Sequence, residues 1–270
     1  NFPRADLARA VDYAHRRNVR VYVACNTVPR NDEIERFSDY LQFLKKIEVD
    51  ALIVSDLGLF MMIRDECPEM ELHVSTQANI SNYADCLAWY RLGAKRVVLA
   101  RELTFDEITQ IRLRTPGSLE IEAFVHGAMC VSHSGRCLLS NFMTGRDANR
   151  GNCAQACRWK YNLVEEKRPG QYMPVEETDT GTFIFNSKDL CMIDHVPDLI
   201  SAGITSFKIE GRVKTEYYVA CVVAAYRRAI DACFSDLGEY ERILPELREE
   251  VCKVSHRPYF TGFYYGDQKS

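Results

Sequence analysis

The sequence predicts an α/β fold of the (β/α)8 TIM-barrel type, as a fragment that lacks the first two strands and carries a cysteine-rich insertion after the seventh barrel strand. Three observations predict it. Short, β-branched, nearly unbroken apolar segments recur roughly every twenty to twenty-five residues, as strands covered on both faces do. Segments with apolar residues at helical spacing lie between them, the pattern of right-handed βαβ units around a parallel sheet. Polar residues end these strands, and no glycine-rich phosphate loop follows any of them, which ranks an open doubly wound sheet behind the barrel.

The elements follow in order. Leu7, Ala10, Val11 and Ala14 repeat at helical spacing over residues 6–17, and Asn18 suits a helix end. VRVYVACN is the first strand, with a helix over residues 32–47 after it. ALIVSD leads to a helix near residues 59–66, ELHVSTQ to one near 82–92, and KRVVLA to one near 106–114. LEIEAFVHG is a further strand. Periodicity then stops until about residue 182, as in a long functional insertion. It returns with TFIFNSKDL, a short helix near residues 195–201, the strand ITSFKIEG and a long helix over residues 214–234. The expected organisation is a partial barrel over residues 1–126, the insertion over 127–182, the end of the barrel over 183–236, and the start of a truncated C-terminal segment over 237–270. Six barrel strands, a start on Asn1 and a stop just after YFTGFYYG all suit a piece of a longer protein.

Composition bounds the function. With 47% hydrophobic and 27% charged residues in 270, the chain can bury a large core, and its net charge of -4 excludes a generally basic coat. No apolar run reaches membrane-spanning length and no leader opens the sequence, so a soluble, cytoplasmic protein with no membrane contact is expected. Eleven cysteines in a reducing compartment favour ligation over disulfides for any group set in polar loops. Cys130, Cys137, Cys153 and Cys157 are such a group, separated by Gly, Ser, Asn and Asp that cannot build an apolar core. Cys191, one turn after NSKDL, is a fifth candidate. Wide spacing suits an iron–sulfur cubane better than the tight pairs of structural zinc, and plain reduced thiols are the third reading. The other six cysteines read as small buried hydrophobes.

Polar strand ends supply the remaining candidates. Asp56, Ser75 and Thr76 are either caps of the next helix or site residues. Arg101, Lys208 and Arg212 would suit a carboxylate- or phosphate-bearing substrate, with Glu102 and Glu210 as their ion-pair partners or as acid–base groups. His126 precedes the cysteine loop and is a candidate catalytic residue. His73 reads as a core histidine, and His133 as an exposed or outer residue. Between Arg136 and Arg168 seven cations face three anions, a local +4. Arg136, Arg146, Arg150, Arg158, Trp159 and Lys160 thus form a basic, aromatic-interleaved stretch of the kind that contacts RNA, with a solvated loop as the alternative.

EAFVHGAMC, SGRCLLS, NSKDL and KIEGR resemble the collagenase-like peptidase family U-32, and the similarity runs along the whole chain. Despite the name, that family includes enzymes that hydroxylate tRNA or rRNA bases and a pair that hydroxylates a ubiquinone precursor. SGRCLLSNFMTGRDANRGNCAQACRWKY looks most like the members that convert wobble uridine of tRNA to 5-hydroxyuridine. The resemblance implies a 4Fe-4S cluster, prephenate as the dicarboxylate co-substrate supplying the hydroxyl, tRNA as substrate, and in some members a paired family-member subunit. By similarity to one quinone-pathway member the cluster ligands are Cys130, Cys137, Cys153 and Cys191. Its partner uses a C-x3-C, which here brings in Cys157. Two other functions stay open at this point, a peptidase and a cluster-carrying partner of the true enzyme. Neither HExxH nor GxSxG occurs, so a peptidase would need one of the loop cysteines paired with His126 or His133.

Overall fold

The computed structural model describes residues 2–130, 132–133, 136–159, 162–163, 169–170, 173–174 and 188–266. Helix α1 (Arg4–His15) leads into β1 (Tyr22–Cys25), α2 (Asn31–Lys46), β2 (Ala51–Val54), α3 (Leu57–Glu66), β3 (Glu71–Val74), α4 (Tyr83–Leu92), β4 (Arg96–Val98), α5 (Phe105–Leu113) and β5 (Glu120–Ala128). The insertion holds α6 (Leu139–Thr144) and a short antiparallel pair, β6 (Asn162–Leu163) with β7 (Met173–Pro174). The chain then runs through β8 (Asp189–Cys191), α7 (Val196–Ser201), β9 (Ser206–Ile209), α8 (Glu216–Ser235), α9 (Leu237–Cys252) and β10 (Tyr259–Phe260).

Strands β1 to β5 pair in parallel, each with the next, and β9 pairs in parallel with β5. This is the sequence-ordered wall of six strands that the alternation of strand and helix predicts. Among the described residues no pairing joins β1 to β9, so the sheet is open. One element departs from expectation. Of TFIFNSKDL, residues 182–187 lie outside the described residues, and its described end, β8, runs antiparallel to the last three residues of β5. The reason is backbone satisfaction. Strand β5 outruns β4, and buried amide and carbonyl groups left over at its end need partners. Register pairs His126 with Cys191, and the Met192 N–H donates to the Val125 carbonyl at 3.0 Å. Strand β10 then pairs in parallel with β8.

Helix starts follow their caps. Asp56 accepts from the Leu59 N–H at 2.8 Å, Asn82 from Asp85, and Thr215 from Tyr218, while Thr104 and Glu107 form a capping box on α5. Ser75 accepts from the Asn26 amide at 2.9 Å and Thr76 donates to the Leu99 carbonyl at 3.1 Å. Asp56, Ser75 and Thr76 therefore take the capping and strand-linking roles. The core between sheet and helices is built from Leu41, Leu44, Leu52, Phe60, Ile63, Leu72, Leu99, Ile108 and Leu119, all fully buried. No described helix is long and apolar enough to cross a membrane.

The sheet also carries a buried ionic layer. Glu122 on β5 accepts from Arg96 of β4 at 3.0 Å, from Ser206 at 2.7 Å and from Lys208 of β9 at 2.9 Å. Arg96 also binds Glu120 at 2.8 Å. Burial alone would push the Glu122 carboxyl up, but Lys208, Ser206 and Arg96 outweigh it and hold it below the usual carboxylate range. Glu122→Gln would leave Lys208 without its anion and Arg96 with Glu120 alone, next to a buried neutral amide. Unfolding in urea is expected to show a loss of about 3 kcal/mol, and a loss under about 1 kcal/mol would mean that Arg96 and Lys208 find other partners.

Candidate active site

The cysteine loop is tied down over the C-terminal ends of the strands. The Val28 N–H after β1 donates to the Asn149 carbonyl at 3.0 Å, and Arg136 Nε to the Gln77 carbonyl after β3 at 2.8 Å. Arg212 after β9 donates to the Gly151 carbonyl. The polar filler is the loop's own scaffold. The Asn149 side chain brackets Cys137, accepting from its N–H at 3.1 Å and donating to its carbonyl at 3.0 Å. Asp147 accepts from the Asn149 N–H, and Ser140 links the Arg146 carbonyl to the Ala154 N–H. Gly145 and Gly151 supply left-handed turns at φ 71° and 77°.

Cys130, Cys137, Cys153 and Cys157 consequently line one cavity of about 200 Å³, together with Arg101, Gln77, Gln155, Arg158, Glu210 and Arg212. The Ser132 N–H donates to Cys130 Sγ at 3.4 Å and the Gln155 N–H to Cys153 Sγ at 3.3 Å, bonds that favour sulfur carrying negative charge. Burial pushes the Cys130 thiol up. The Ser132 N–H and Arg101 oppose this, and nearby Cys137 and Cys153 add to it. Among the described residues no three His, Cys, Asp or Glu side chains stand close enough to share one metal ion. The four cysteines share the lining of the cavity instead. Three buried polar atoms among the lining residues have no hydrogen-bond partner among the described residues, Arg101 Nε, Arg158 Nη1 and Gln77 Oε1.

Arg101 lies 3.7 Å from the centre of the Phe124 ring and donates to the Ala128 carbonyl at 3.0 Å. Its guanidinium is pushed down by burial, opposed by Glu210, Cys130 and Glu102. Glu210 accepts from the Arg212 N–H at 2.9 Å. Of the three cations picked out by their strand-end positions, Arg101 and Arg212 reach this cavity. Lys208 does not, because Glu122 holds it in the sheet. Glu102 stands 3.8 Å from His133.

Cys191 and His126 sit elsewhere. Cys191 is buried in β8, outside the cavity lining, with burial pushing its thiol up to about 12. His126 is 1% exposed and enclosed by Tyr218, Tyr226 and Tyr259, with each ring nitrogen 3.4 Å from a tyrosine hydroxyl. Burial pushes the imidazole down to about 4, so at neutral pH it is an uncharged core group.

The sequence of this chain matches peptidase family U32 over residues 1–270. The chain belongs to that family. A tRNA hydroxylation protein P of Escherichia coli is 38% identical over 97% of the U32 chain and 65% of its own length. An uncharacterized protease of Methanocaldococcus jannaschii is 43% identical over 99% of the chain and 64% of its own. The 23S rRNA 5-hydroxycytidine C2501 synthase of E. coli is 38% identical over 88% of the chain and 34% of its own. The U32 chain thus spans about two thirds of the length of the first two. A solved U32 peptidase structure covers 77% of the chain at 18% identity, with a TM-score of 0.48.

The basic stretch of the U32 chain divides. Arg150 is paired with Glu33 at 2.5 and 2.9 Å, and Arg158 with buried Asp189. Arg136 and Arg146 bind main-chain and amide oxygens only among the described residues. Trp159 is 44% exposed, and Lys160 lies outside the described residues. Sequence reasoning passed over Leu138 and Phe142, 77% and 86% exposed beside the cavity on and before α6. Their signal was apolar side chains in a loop otherwise filled with polar ones.

Proposed function

We propose that this chain is the core of an RNA hydroxylase that acts on the wobble uridine of tRNA. In this reading it holds a 4Fe-4S cluster and uses prephenate as the hydroxyl source. The observation that carries it is the convergence of Cys130, Cys137, Cys153 and Cys157 on one cavity at the strand ends. Thiolates sharing a single zinc ion stand about 3.8 Å apart, from a Zn–S bond of about 2.3 Å. A cubane needs a wider ring of four thiolates and N–H groups aimed at the sulfurs, which suits this lining. When bound, the cluster would supply redox chemistry at the strand ends. Arg101, whose buried Nε has no partner among the described residues, and Arg212 would bind and orient the carboxylates of the co-substrate. Glu210 would keep Arg212 in place. The name of the E. coli tRNA hydroxylation relative and that of the rRNA synthase support RNA as the substrate class. The open parallel wall is read as six strands of a barrel, its two remaining strands supplied by chain outside this sequence, which agrees with the greater length of the relatives.

Phe142 and Arg136 are the RNA contacts we favour, an exposed ring for base stacking and a cation with no carboxylate partner among the described residues. In the full-length protein, Phe142→Ala with Arg136→Gln is expected to weaken tRNA binding by about 1–3 kcal/mol, mostly from the lost stacking. The slope of log affinity against log salt should fall by about 0.7 for the one phosphate contact removed. Arg136→Gln also removes the tie to the Gln77 carbonyl, but the ties at Val28 and Arg212 remain, so most of the iron should be retained. Affinity across salt concentrations and 5-hydroxyuridine by mass spectrometry, in a deletion strain carrying the variant, check this. Unchanged affinity and slope would place the RNA on another face.

A further inference from the structure

A second cavity, of about 400 Å³, lies behind the cysteine loop, and Gln155, Arg158, Ala128 and Val213 belong to the walls of both. Three cations line it, Arg158, Lys214 and Arg257, against one carboxylate, Asp189. Asp189 is fully buried. It is paired with Arg158, stands 3.6 Å from Lys214 Nζ and accepts from the Arg257 N–H at 3.1 Å. Burial would push its carboxyl up, but Arg158, the Arg257 N–H and Lys214 hold it below the usual range, so it stays charged, and among the described residues Arg158 and Lys214 together outweigh it by one positive charge. Burial pushes the Arg257 guanidinium down, and Arg158 adds to that by like-charge repulsion.

Two atoms in the walls are unpaired. Arg158 Nη1 and the hydroxyl of Tyr218, a residue 2% exposed, are buried with no hydrogen-bond partner among the described residues. Buried donors are paired as a rule, because leaving one unmade costs about 1–3 kcal/mol. Thr215, the N-cap of twenty-residue α8, lies in the same wall, so the positive end of that helix faces the same space. His256 and Ser255 complete it.

The geometry points to a binding site for a small organic oxyanion, a carboxylate or a phosphate ester, held by Arg158, Lys214 and the Tyr218 hydroxyl. An anion there would use both orphaned donors and neutralise the excess charge. A concave space of this volume is the size that takes a small molecule, whereas an RNA backbone would ask for a strip of exposed cations. Lys214 and Tyr218 lie outside the cysteine cavity, and Arg158 is the one holder that the two cavities share.

The test is calorimetric titration of the full-length protein with inorganic phosphate and, separately, malonate. At least one is expected to bind with a stoichiometry of one, and which of them binds distinguishes a phosphate from a carboxylate ligand. Tyr218→Phe deletes only a hydroxyl that has no partner among the described residues, so the variant should fold at least as stably as the parent. It is expected to bind the anion several-fold more weakly, and Lys214→Gln about tenfold more weakly, the worth of one charge-assisted hydrogen bond. Both should retain the parent's iron content, so a failure here is separable from a failure at the cysteines. Absence of binding by either anion, or parental affinity in both variants, overturns the site. So would variants that lose RNA binding while the parent binds no small anion.

Discussion

Iron is expected to be lost almost completely from the full-length protein when Cys137→Ser or Cys157→Ser is introduced, and to be retained when Cys191→Ser is. A cubane needs four thiolates within reach of one another. Cys130, Cys137, Cys153 and Cys157 line one cavity, and Asn149 fixes the Cys137 main chain on both sides. Cys191 is instead locked into β8 by pairing with His126 and packs near Tyr226 and Tyr259. Reaching the cavity would require β8 to leave β5. Serine is close in size to cysteine but a poor soft-metal ligand, so the loop should keep its shape while losing its cargo. Iron and sulfide content after anaerobic purification, with the visible absorption spectrum, decide the matter. Retention of iron by Cys157→Ser with loss by Cys191→Ser would restore the ligand set implied by the quinone-pathway resemblance.

Gly127→Ala is expected to cost about 4 kcal/mol or more. Gly127 sits in β5 immediately after His126, with φ at 111°, where side chains are strained. A Cβ built there would stand 2.4 Å from the Glu210 carbonyl oxygen and 2.8 Å from Glu210 Cβ. The obstacle is backbone, and it is held, because the Glu210 N–H donates to the His126 carbonyl at 2.8 Å. The clash can be relieved only by parting β5 from the end of β9, which carries Glu210 and Arg212 into the cysteine cavity. Both denaturant midpoint and iron content should therefore fall. By contrast Gly145→Ala, whose Cβ meets nothing within 4 Å, should show only the smaller strain of its left-handed turn. Equal effects at the two positions would mean that contact with Glu210 is not what Gly127 avoids.

Sequence periodicity placed the strands and helices because those signals are local. Val and Ile runs, helical spacing and caps such as Thr104 act within a few residues, and the order of β1 to β5 and β9 follows from short connections. The cysteine loop was legible too, since four thiols among Gly, Asn and Asp have no packing use. What that filler does was not legible. Asn149 and Ser140 make the bonds that shape the loop, and nothing in a list of turn residues says which partner each takes.

The fates of the charged and titratable candidates were decided by contacts between residues distant in sequence. Lys208 has its anion 86 residues away in Glu122, Arg150 has Glu33 117 residues away, and Arg158 has Asp189 31 residues away. Strand-end position alone made Lys208, Arg101 and Arg212 equivalent, yet only the packed sheet shows which of them is already neutralised. His126 looked like a site residue because it precedes the loop, and three tyrosines from α8 and β10 make it a core residue. Cys157 and Cys191 were separated in the same way, Cys157 falling in the cavity lining while β8, antiparallel against the overhang of β5, keeps Cys191 out of it. By itself the sequence determined the order of the elements and the loop that carries the thiols. Which charges and sulfurs remain available to a ligand was decided only by the tertiary structure, because pairing energy depends on distance and burial, and both are set by elements that meet only once the chain has folded.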